Sequence, residues 1–167
     1  MVLKGLTLVL FGGFPERDAL ELAGALAGLG VGVGGMVREP EVAGAYSERR
    51  GQYLASTFLE AALRHEGWVL GLADVDLYTP DLNFVFGLAQ RGGRGAVVSA
   101  LRLHHPLRDV YMTRLTKEAM HELGHVRGLG HCPDPLCVMH FSNCLADTDR
   151  KGAALCRVCA STLAGGD

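Results

Sequence analysis

The stretch HELGHVRGLGHCPDPLC, at positions 121–137, constrains the fold of this chain more than any other part of the sequence. It brings three histidines and two cysteines, all side chains that bind metal ions, into a short segment. The residues around its first half, 111–128, carry apolar side chains at the spacing of a helix that packs one face against a sheet. This apolar stripe consists of Met112, Leu115, Ala119, Leu123 and Val126. The segment therefore predicts a helix with two histidines on the opposite face.

His121 and His125 are one helical turn apart, so their side chains project in the same direction. A polar, solvated helix face is the ordinary explanation for histidines opposite an apolar stripe. The alternative is metal binding, because two imidazoles at this spacing can hold one zinc ion above the helix. Glu122 lies beside the first of them, where its carboxylate can accept a proton from a zinc-bound water.

Gly128 permits a left-handed backbone conformation, which would end the helix and turn the chain back. His131 would then reach the same ion from another direction. Three protein ligands leave the fourth position of a tetrahedral zinc to water, which distinguishes a catalytic site from a structural one. The three histidines are therefore candidate ligands of a catalytic zinc, and Glu122 is the candidate general base.

The first half of the chain alternates between strand-like and helix-like segments. We predict strands over 2–11, 31–38 and 68–76, and helices over 15–28 and from Ser47, as the N-cap, to about His65. Strands that alternate with helices favour a parallel sheet with right-handed crossovers. Two further strand-like runs, 83–90 and 95–103, are too close together to contain a helix between them, so we predict a hairpin with one antiparallel strand.

Composition excludes several classes of protein. The 167 residues carry a formal net charge of only −2, with no basic run of the kind that binds nucleic acid. The apolar opening at 3–14 is too short to cross a membrane, and it leads directly into a helix start, so we predict a buried strand rather than a signal peptide. The glycines at 30, 32 and 35 match a dinucleotide-binding spacing but follow a helix, so no nucleotide site is predicted. Five cysteines in a reducing compartment favour metal binding or free thiols, and the predicted location is the cytoplasm.

The motif HELGHVRGLGH fits all five fixed positions of H-E-x-x-H-x-x-G-x-x-H, the zinc signature of the metzincin peptidases. Its continuation resembles the signature of the archaemetzincin family, with Cys132, Cys137, Met139, Cys156 and Cys159 at the matching spacing. The run DVDLYTPDLNFVFGLA at 74–89 also resembles the upstream region of that family. The resemblance covers roughly the second half of the chain.

The resemblance implies an α+β fold, with a mixed, mostly parallel twisted sheet above the active-site helix and a small zinc-stapled subdomain after it. It also implies that Met139 forms a hydrophobic floor under the zinc site without binding metal. Some metzincins carry a tyrosine two residues after this methionine, whereas this chain has Phe141, and His140 is a candidate for the missing oxyanion partner. The run NFVFG at 83–87 is a candidate edge strand that pairs with an extended peptide, and a plain structural hairpin is the alternative.

The cysteines predict a second metal site. Cys156 and Cys159 have the C-x2-C spacing that clasps zinc, and Cys132 and Cys137 complete a closed set of four thiolates, which is structural because it leaves no open position. Buried free thiols are the alternative explanation. Cys144 is left over, and we predict that it is a small buried residue.

These observations predict a zinc-dependent peptidase with two zinc ions per chain, one catalytic and one structural. The predicted parts are 1–128, ending in the active-site helix, and 129–167, containing the third histidine and the cysteine site. The partners expected are peptide or small-protein substrates, with neither nucleic acid nor membrane. The rival hypothesis is a non-catalytic zinc-binding interaction protein that retains a metzincin fold, and the presence of Glu122 favours the enzyme. The remaining histidines, at 65, 104 and 105, are assigned to surface or loop positions.

Overall fold

The computed structural model describes residues 1–165. Nine strands and five α-helices follow one another along these residues. They are β1 (Leu3–Phe11), α1 (Glu16–Gly28), β2 (Val31–Glu39), β3 (Tyr46–Ser47), β4 (Gln52–Leu54), α2 (Ala55–Ala62), β5 (Val69–Ala73), β6 (Leu77–Thr79), β7 (Leu82–Val85), β8 (Gly87–Ala89), β9 (Gly95–Ser99), α3 (Arg108–Val126), α4 (Leu145–Arg150) and α5 (Arg157–Ala164). A short 3₁₀ helix, Leu101–Leu103, lies between β9 and α3.

The main sheet has five strands in the order β2-β1-β5-β9-β8. The first four are parallel to their neighbours, and β8 pairs antiparallel with β9 at one edge. The central strands β5 and β9 are buried along their whole length, which explains why they read as continuous apolar runs. The predicted α+β class, its mixed, mostly parallel sheet and the hairpin are therefore confirmed.

Helices cover both faces of this sheet. Side chains of β1 alternate, so that Leu6, Leu8 and Leu10 pack with α1 and α3 while Val9 and Phe11 pack with α2. Among residues 1–165, no helix is both long enough and apolar enough to cross a membrane. The position of α3 across the sheet places its histidines next to the antiparallel edge.

A second, four-stranded sheet in the order β3-β4-β6-β7 was not anticipated from the sequence. The helix predicted from Ser47 is wrong over its first turns, because Tyr46–Ser47 pairs antiparallel with β4 and α2 begins only at Ala55. Gly51, at φ +65°, belongs to the tight turn between these strands, and the ring of Tyr53 packs 5.0 Å from that of Tyr46. Packing between these two rings therefore stabilises the paired strands more than the helical spacing of the apolar residues stabilises a helix here.

The predicted strand 83–90 is also divided between the two sheets. Residues up to Val85 belong to β7 at the edge of the small sheet, and residues from Gly87 belong to β8 at the edge of the main sheet. Phe86 separates them and turns its side chain into the main core, where it is 6% exposed. The edge strands β7 and β8 therefore form one continuous border, residues 82–89, which we call the rim.

The residues after Gly128 contain α4 and α5 and cover the face of α3 that does not contact the sheet. Leu129, Val138 and Met139 belong to the same apolar core cluster as the sheet and α3. The division into parts 1–128 and 129–167 remains a prediction, and residues 166–167 of the second part lie outside the described range.

Asp76 links the rim, through Gln52, to the 3₁₀ helix that follows β9. Its carboxylate accepts hydrogen bonds from Arg102 Nε and Nη2 at 2.6 and 2.7 Å, and from Gln52 Nε2 at 3.1 Å. Gln52 Nε2 also donates to the carbonyl of Asn83 in β7 at 2.8 Å. The hydrogen bonds from Arg102 lower the pKa of Asp76 below its usual value.

Replacing Asp76 with Asn is expected to lower the free energy of unfolding by about 1 kcal/mol at pH 7. A carboxyl with a lowered folded-state pKa contributes stability above its unfolded pKa of about 3.9 and loses that contribution as pH falls through the folded value. The difference from the native chain should therefore shrink at about pH 3. Urea denaturation at both pH values measures it, with Asp81→Asn at an exposed turn as the control. An equal difference at both pH values would contradict the role given to this pair.

Candidate active site and metal centres

The chain turns back at the end of α3 as the glycine predicts. Gly128 has φ +92°, its N–H donates to the carbonyl of His125 at 2.8 Å, and the N–H of Leu129 donates to the carbonyl of Gly124 at 3.0 Å. These two hydrogen bonds form the Schellman motif that closes a helix C-terminus. The turn brings His131 back beside the helix.

The three predicted histidines come together in one cluster. His121, His125 and His131 each offer a ring nitrogen, and these nitrogens lie within 4.8 Å of one another. His121 Nδ1 lies 2.8 Å from the carbonyl of Val138, and His125 Nδ1 lies 2.8 Å from that of Leu129. A carbonyl only accepts hydrogen bonds, so both Nδ1 atoms carry the proton and both Nε2 atoms have a free lone pair.

The geometry of these lone pairs fits a zinc ion. The Nε2 atoms of His121 and His125 are 3.1 Å apart. Two nitrogens bound to one tetrahedral zinc, each at about 2.0–2.1 Å, are about 3.4 Å apart. Two converging lone pairs repel each other unless a cation lies between them, so the donor set is suited to a metal.

The electrostatic surroundings keep the histidines in the neutral form that binds metal. Burial lowers the pKa of His121 far below its usual value, and the charge of Lys151 lowers it further. Burial also lowers the pKa values of His125 and His131. The solvated polar face that was the alternative in the sequence is therefore not found, since His121 is buried and His125 is half-buried.

Glu122 is buried beside the cluster, with 5% of its surface exposed. Burial raises the pKa of its carboxyl to about 8. It approaches the edge strand at Gly87, where an added Cβ would lie 2.7 Å from Glu122 Oε1. Gly87 therefore leaves space for the carboxylate, a close approach that the sequence did not reveal.

A cavity of about 540 Å³, which we call the cleft, lies in front of these groups. One wall is formed by residues 82–89 of the rim, another by α3, and a third by residues 141–143. Each of the three histidines and Glu122 lines it.

Two glycines and one buried ion pair at the site were missed from the sequence. Gly124 contacts Met139 so closely that an added Cβ would overlap the sulfur, and a glycine inside a helix is the signal that could have indicated this contact. Lys151 Nζ lies 3.0 Å from Glu118 Oε1, and both side chains are almost fully buried. No spacing in the sequence links residues so far apart.

The segment after the turn places its side chains differently from the sequence prediction. His140 does not line the cleft, because its Nδ1 lies 3.0 Å from the carbonyl of Cys132, so the structure gives no support to it as an oxyanion partner. Phe141 and Ser142 line the cleft instead. Ser142 Oγ is the one buried side-chain polar atom in residues 1–165 without a hydrogen-bond partner, so it can donate to a bound peptide without breaking a bond within the protein.

The predicted cysteines form a second cluster. The sulfur atoms of Cys132, Cys137, Cys156 and Cys159 lie within 4.8 Å of one another and form no disulfide. Cys132 and Cys156 are separated by 3.8 Å between sulfurs, which is about the spacing of two thiolates on one tetrahedral zinc. The backbone N–H of Cys156 donates to the sulfur of Cys137 at 3.3 Å, as amides do to a thiolate ligand.

Cys144 is exposed, so the prediction of a buried residue is wrong. It begins α4 in extended backbone conformation, and its sulfur contacts the carboxylate of Asp147 at 3.6 Å. Its exposure follows from its position at a helix start on the surface. The histidines at 65, 104 and 105 lie outside both clusters, where His65 contacts Glu39 and His104 contacts Asp74.

Comparisons with known proteins agree with this geometry. The sequence profile of Peptidase family M54 matches residues 33–164. An archaemetzincin of Methanopyrus kandleri is 52% identical over 122 residues, which cover 71% of this chain and 70% of that protein. The crystal structure of archaemetzincin from the same organism superposes with a TM-score of 0.89 at 42% identity, over 98% of this chain and 94% of that one. A zinc-dependent peptidase of Methanocorpusculum labreanum superposes with a TM-score of 0.82 at 26% identity, over 95% and 100% of the two chains.

Agreement in fold over nearly the whole chain, together with the imidazole cluster, shows that this protein is a zinc metallopeptidase. More particularly, the chain belongs to peptidase family M54, which contains the archaemetzincins, as the resemblance in its second half indicated.

Proposed function

We propose that this chain hydrolyses peptide bonds in the cleft, with Glu122 as the general base. The observation that carries the proposal is the convergence of three neutral imidazoles beside one buried carboxylate on the cleft wall. His121, His125 and His131 would hold the catalytic zinc through their free nitrogens. When bound, the ion supplies Lewis acidity toward the substrate carbonyl and lowers the pKa of water to about 7.

Glu122 has the position for the proposed role, because it is adjacent to His121 in α3 and its carboxylate lines the cleft beside the three histidines. It takes the proton of the attacking water and then returns it to the leaving amine. Gly87 keeps this carboxylate at the cleft by leaving space for it.

The substrate proposed is an extended peptide or unstructured protein segment. Among residues 1–165, no further strand lies beside the edge of β8 that faces away from β9, and this strand borders the cleft, so it can pair with a peptide by strand addition. The edge strand predicted at 83–87 is divided between β7 and β8, so that β8 retains only Gly87 of it, and the hairpin in this region pairs β8 with β9. β8 can pair with β9 along one edge and with a peptide along the other, because a strand has two edges.

The four-cysteine cluster is proposed to hold the second zinc, giving two ions per chain. Four thiolates close a tetrahedral site and exclude substrate, so this ion would be structural. Cys132 follows His131 directly, and the ion would therefore fix the segment that supplies the third histidine. It would also tie part 129–167, which has little apolar core of its own, to α3.

The rival function, a non-catalytic zinc-binding interaction protein, requires neither the buried base nor the open cleft. Both are present, and Gly87 leaves room for the base. We also propose that the chain acts in the cytoplasm without nucleic-acid or membrane partners. The five free cysteines support a reducing compartment.

Replacing Glu122 with Ala is expected to lower kcat at least about 100-fold while the zinc content stays unchanged, because a base is removed and no ligand is touched. A digest of a peptide library, read by mass spectrometry, measures hydrolysis, and atomic emission measures zinc. Glu66→Ala, at an exposed loop, is the control. Cleavage at the native rate by the Glu122 variant would rule out this mechanism.

Replacing Cys159 with Ser is expected to leave at most one zinc per chain and to lower the Tm, because structural zinc binding contributes folding free energy. Cys144→Ser provides the matched control, since its thiol lies outside the cluster, and it should retain two zinc ions. Metal analysis and thermal melting give both results. Loss of zinc from the Cys144 variant alone would show that the assignment of ligands is wrong.

Peptides of two or three residues are expected to be poorer substrates than unstructured peptides of six or more, if main-chain hydrogen bonds to β8 contribute to affinity. Proline at the pairing positions should lower kcat/KM further, since it removes a backbone donor. A series of peptides sharing one scissile bond measures both effects. Equal kcat/KM along the series would contradict strand pairing.

A further inference from the structure

The cleft has one fixed cation whose charge no described side chain neutralises. Of the charged residues that line the cleft, Glu118 is paired with Lys151, and Glu122 is the proposed base. Arg91 is the remaining one, and within residues 1–165 its side chain has a single polar contact, to a backbone carbonyl. A carbonyl satisfies a donor but does not cancel a charge.

The guanidinium of Arg91 is held in place although the residue is exposed. Its Nε donates to the carbonyl of Gly128 at 3.2 Å, on the turn that ends α3. A Cβ at Gly130 would lie 3.2 Å from Arg91 Nη2, so the glycine keeps that side of the guanidinium uncrowded. With Nε engaged, the terminal Nη groups remain as donors toward a ligand in the cleft.

Backbone contacts fix Arg91 relative to the imidazole cluster. The next residue, Gly92, donates its N–H to the carbonyl of His125 at 3.0 Å, so the turn after β8 is joined directly to the active-site helix. Arg91, His125 and His131 line the same cleft. The cation therefore faces the space that the substrate would occupy.

We propose that Arg91 makes this enzyme selective for peptides that carry a carboxylate a few residues from the scissile bond. The inference rests on the proposed peptidase function and names its substrate class. A guanidinium binds a carboxylate with two parallel hydrogen bonds, which gives direction as well as charge. Uncharged and basic peptides lack this contact and are poorer substrates.

The strand rise indicates where the carboxylate lies along the substrate. The base approaches the rim at Gly87, and Arg91 follows four residues later in the turn after β8, so their backbones are at most about 13 Å apart. The side chain turns back toward Gly128 and shortens this distance. The carboxylate is therefore about two to four residues away from the bond that is cleaved.

Two sources can supply the carboxylate, and the direction of pairing separates them. A peptide antiparallel to β8 brings an acidic side chain on the N-terminal side of the scissile bond to Arg91. A parallel peptide brings either an acidic side chain or the free C-terminus on the other side. The chemistry recognised is the same in both cases.

The test uses pairs of peptides that differ at a single position, which is Glu in one peptide and Gln in the other. Each position is tested in turn, and every peptide is made with a free and with an amidated C-terminus. The native enzyme should cleave the Glu form with about three- to ten-fold higher kcat/KM at one position. Arg91→Gln should abolish that preference, so that the ratio of kcat/KM between the Glu and Gln forms falls to about one. Arg91→Glu should favour Lys at the same position. Arg64→Gln, an exposed arginine that does not line the cleft, is the control.

A preference that disappears on amidation identifies the C-terminus as the source, and one that persists identifies an acidic side chain. Salt at about 0.5 M should reduce either preference. Equal kcat/KM for the Glu and Gln forms in the native enzyme, or a preference that survives in Arg91→Gln, overturns the proposal while leaving the peptidase function intact.

Peptide binding to Glu122→Ala, followed by fluorescence anisotropy, separates this proposal from the function on which it rests. The proposal expects the Glu peptide to bind about three- to ten-fold more tightly than the Gln peptide, and expects the difference to vanish when Arg91→Gln is added. If the native enzyme cleaves none of the peptides, the proposed function fails, and this binding comparison still decides whether Arg91 selects a carboxylate. Equal binding of both peptides overturns the proposal.

Discussion

The hydrogen bond from His121 Nδ1 to the carbonyl of Val138 joins the two halves of the site. It fixes the tautomer of a helical histidine and holds the turn that carries Met139 against α3. The backbone of that turn continues the connection, because the N–H of Cys132 donates to the carbonyl of Met139 at 2.9 Å. The imidazole cluster and the cysteine cluster thus share one short segment of backbone, and neither can shift without the other.

The second constraint is a buried ion pair that fixes the C-terminal segment against α3. A buried ion pair gains little stability over an apolar pair, since desolvation of both charges opposes their attraction. Glu118 and Lys151 nevertheless lie in the interior, where Lys151 also donates to the carbonyl of His140 at 3.4 Å and Thr148 donates to Glu118 at 2.9 Å. These directional bonds specify where the C-terminal segment lies on the helix, which apolar contacts alone would leave loosely defined.

The sequence predicted those features that follow from local geometry. Helix periodicity places His121 above His125 whatever surrounds them, and Gly128 turns the chain because few other residues adopt its backbone conformation. The contacts that depend on distant segments were not predictable. The Ser47 segment has a helical pattern but pairs as strands, and Lys151 meets Glu118 only because α4 packs on α3. No motif in the sequence singles out Arg91, and only the fold places it at the cleft.

The contact between Gly124 and Met139 limits how this enzyme can be made more stable. Alanine in place of a mid-helix glycine ordinarily adds about 1 kcal/mol, and it is an obvious substitution for thermal engineering. Here the added methyl group would displace the methionine on which the histidine-bearing turn of the helix packs. Engineering for heat resistance has to leave this position alone and look to the far surface, where Leu20 on α1 is exposed and belongs to neither the histidine nor the cysteine cluster.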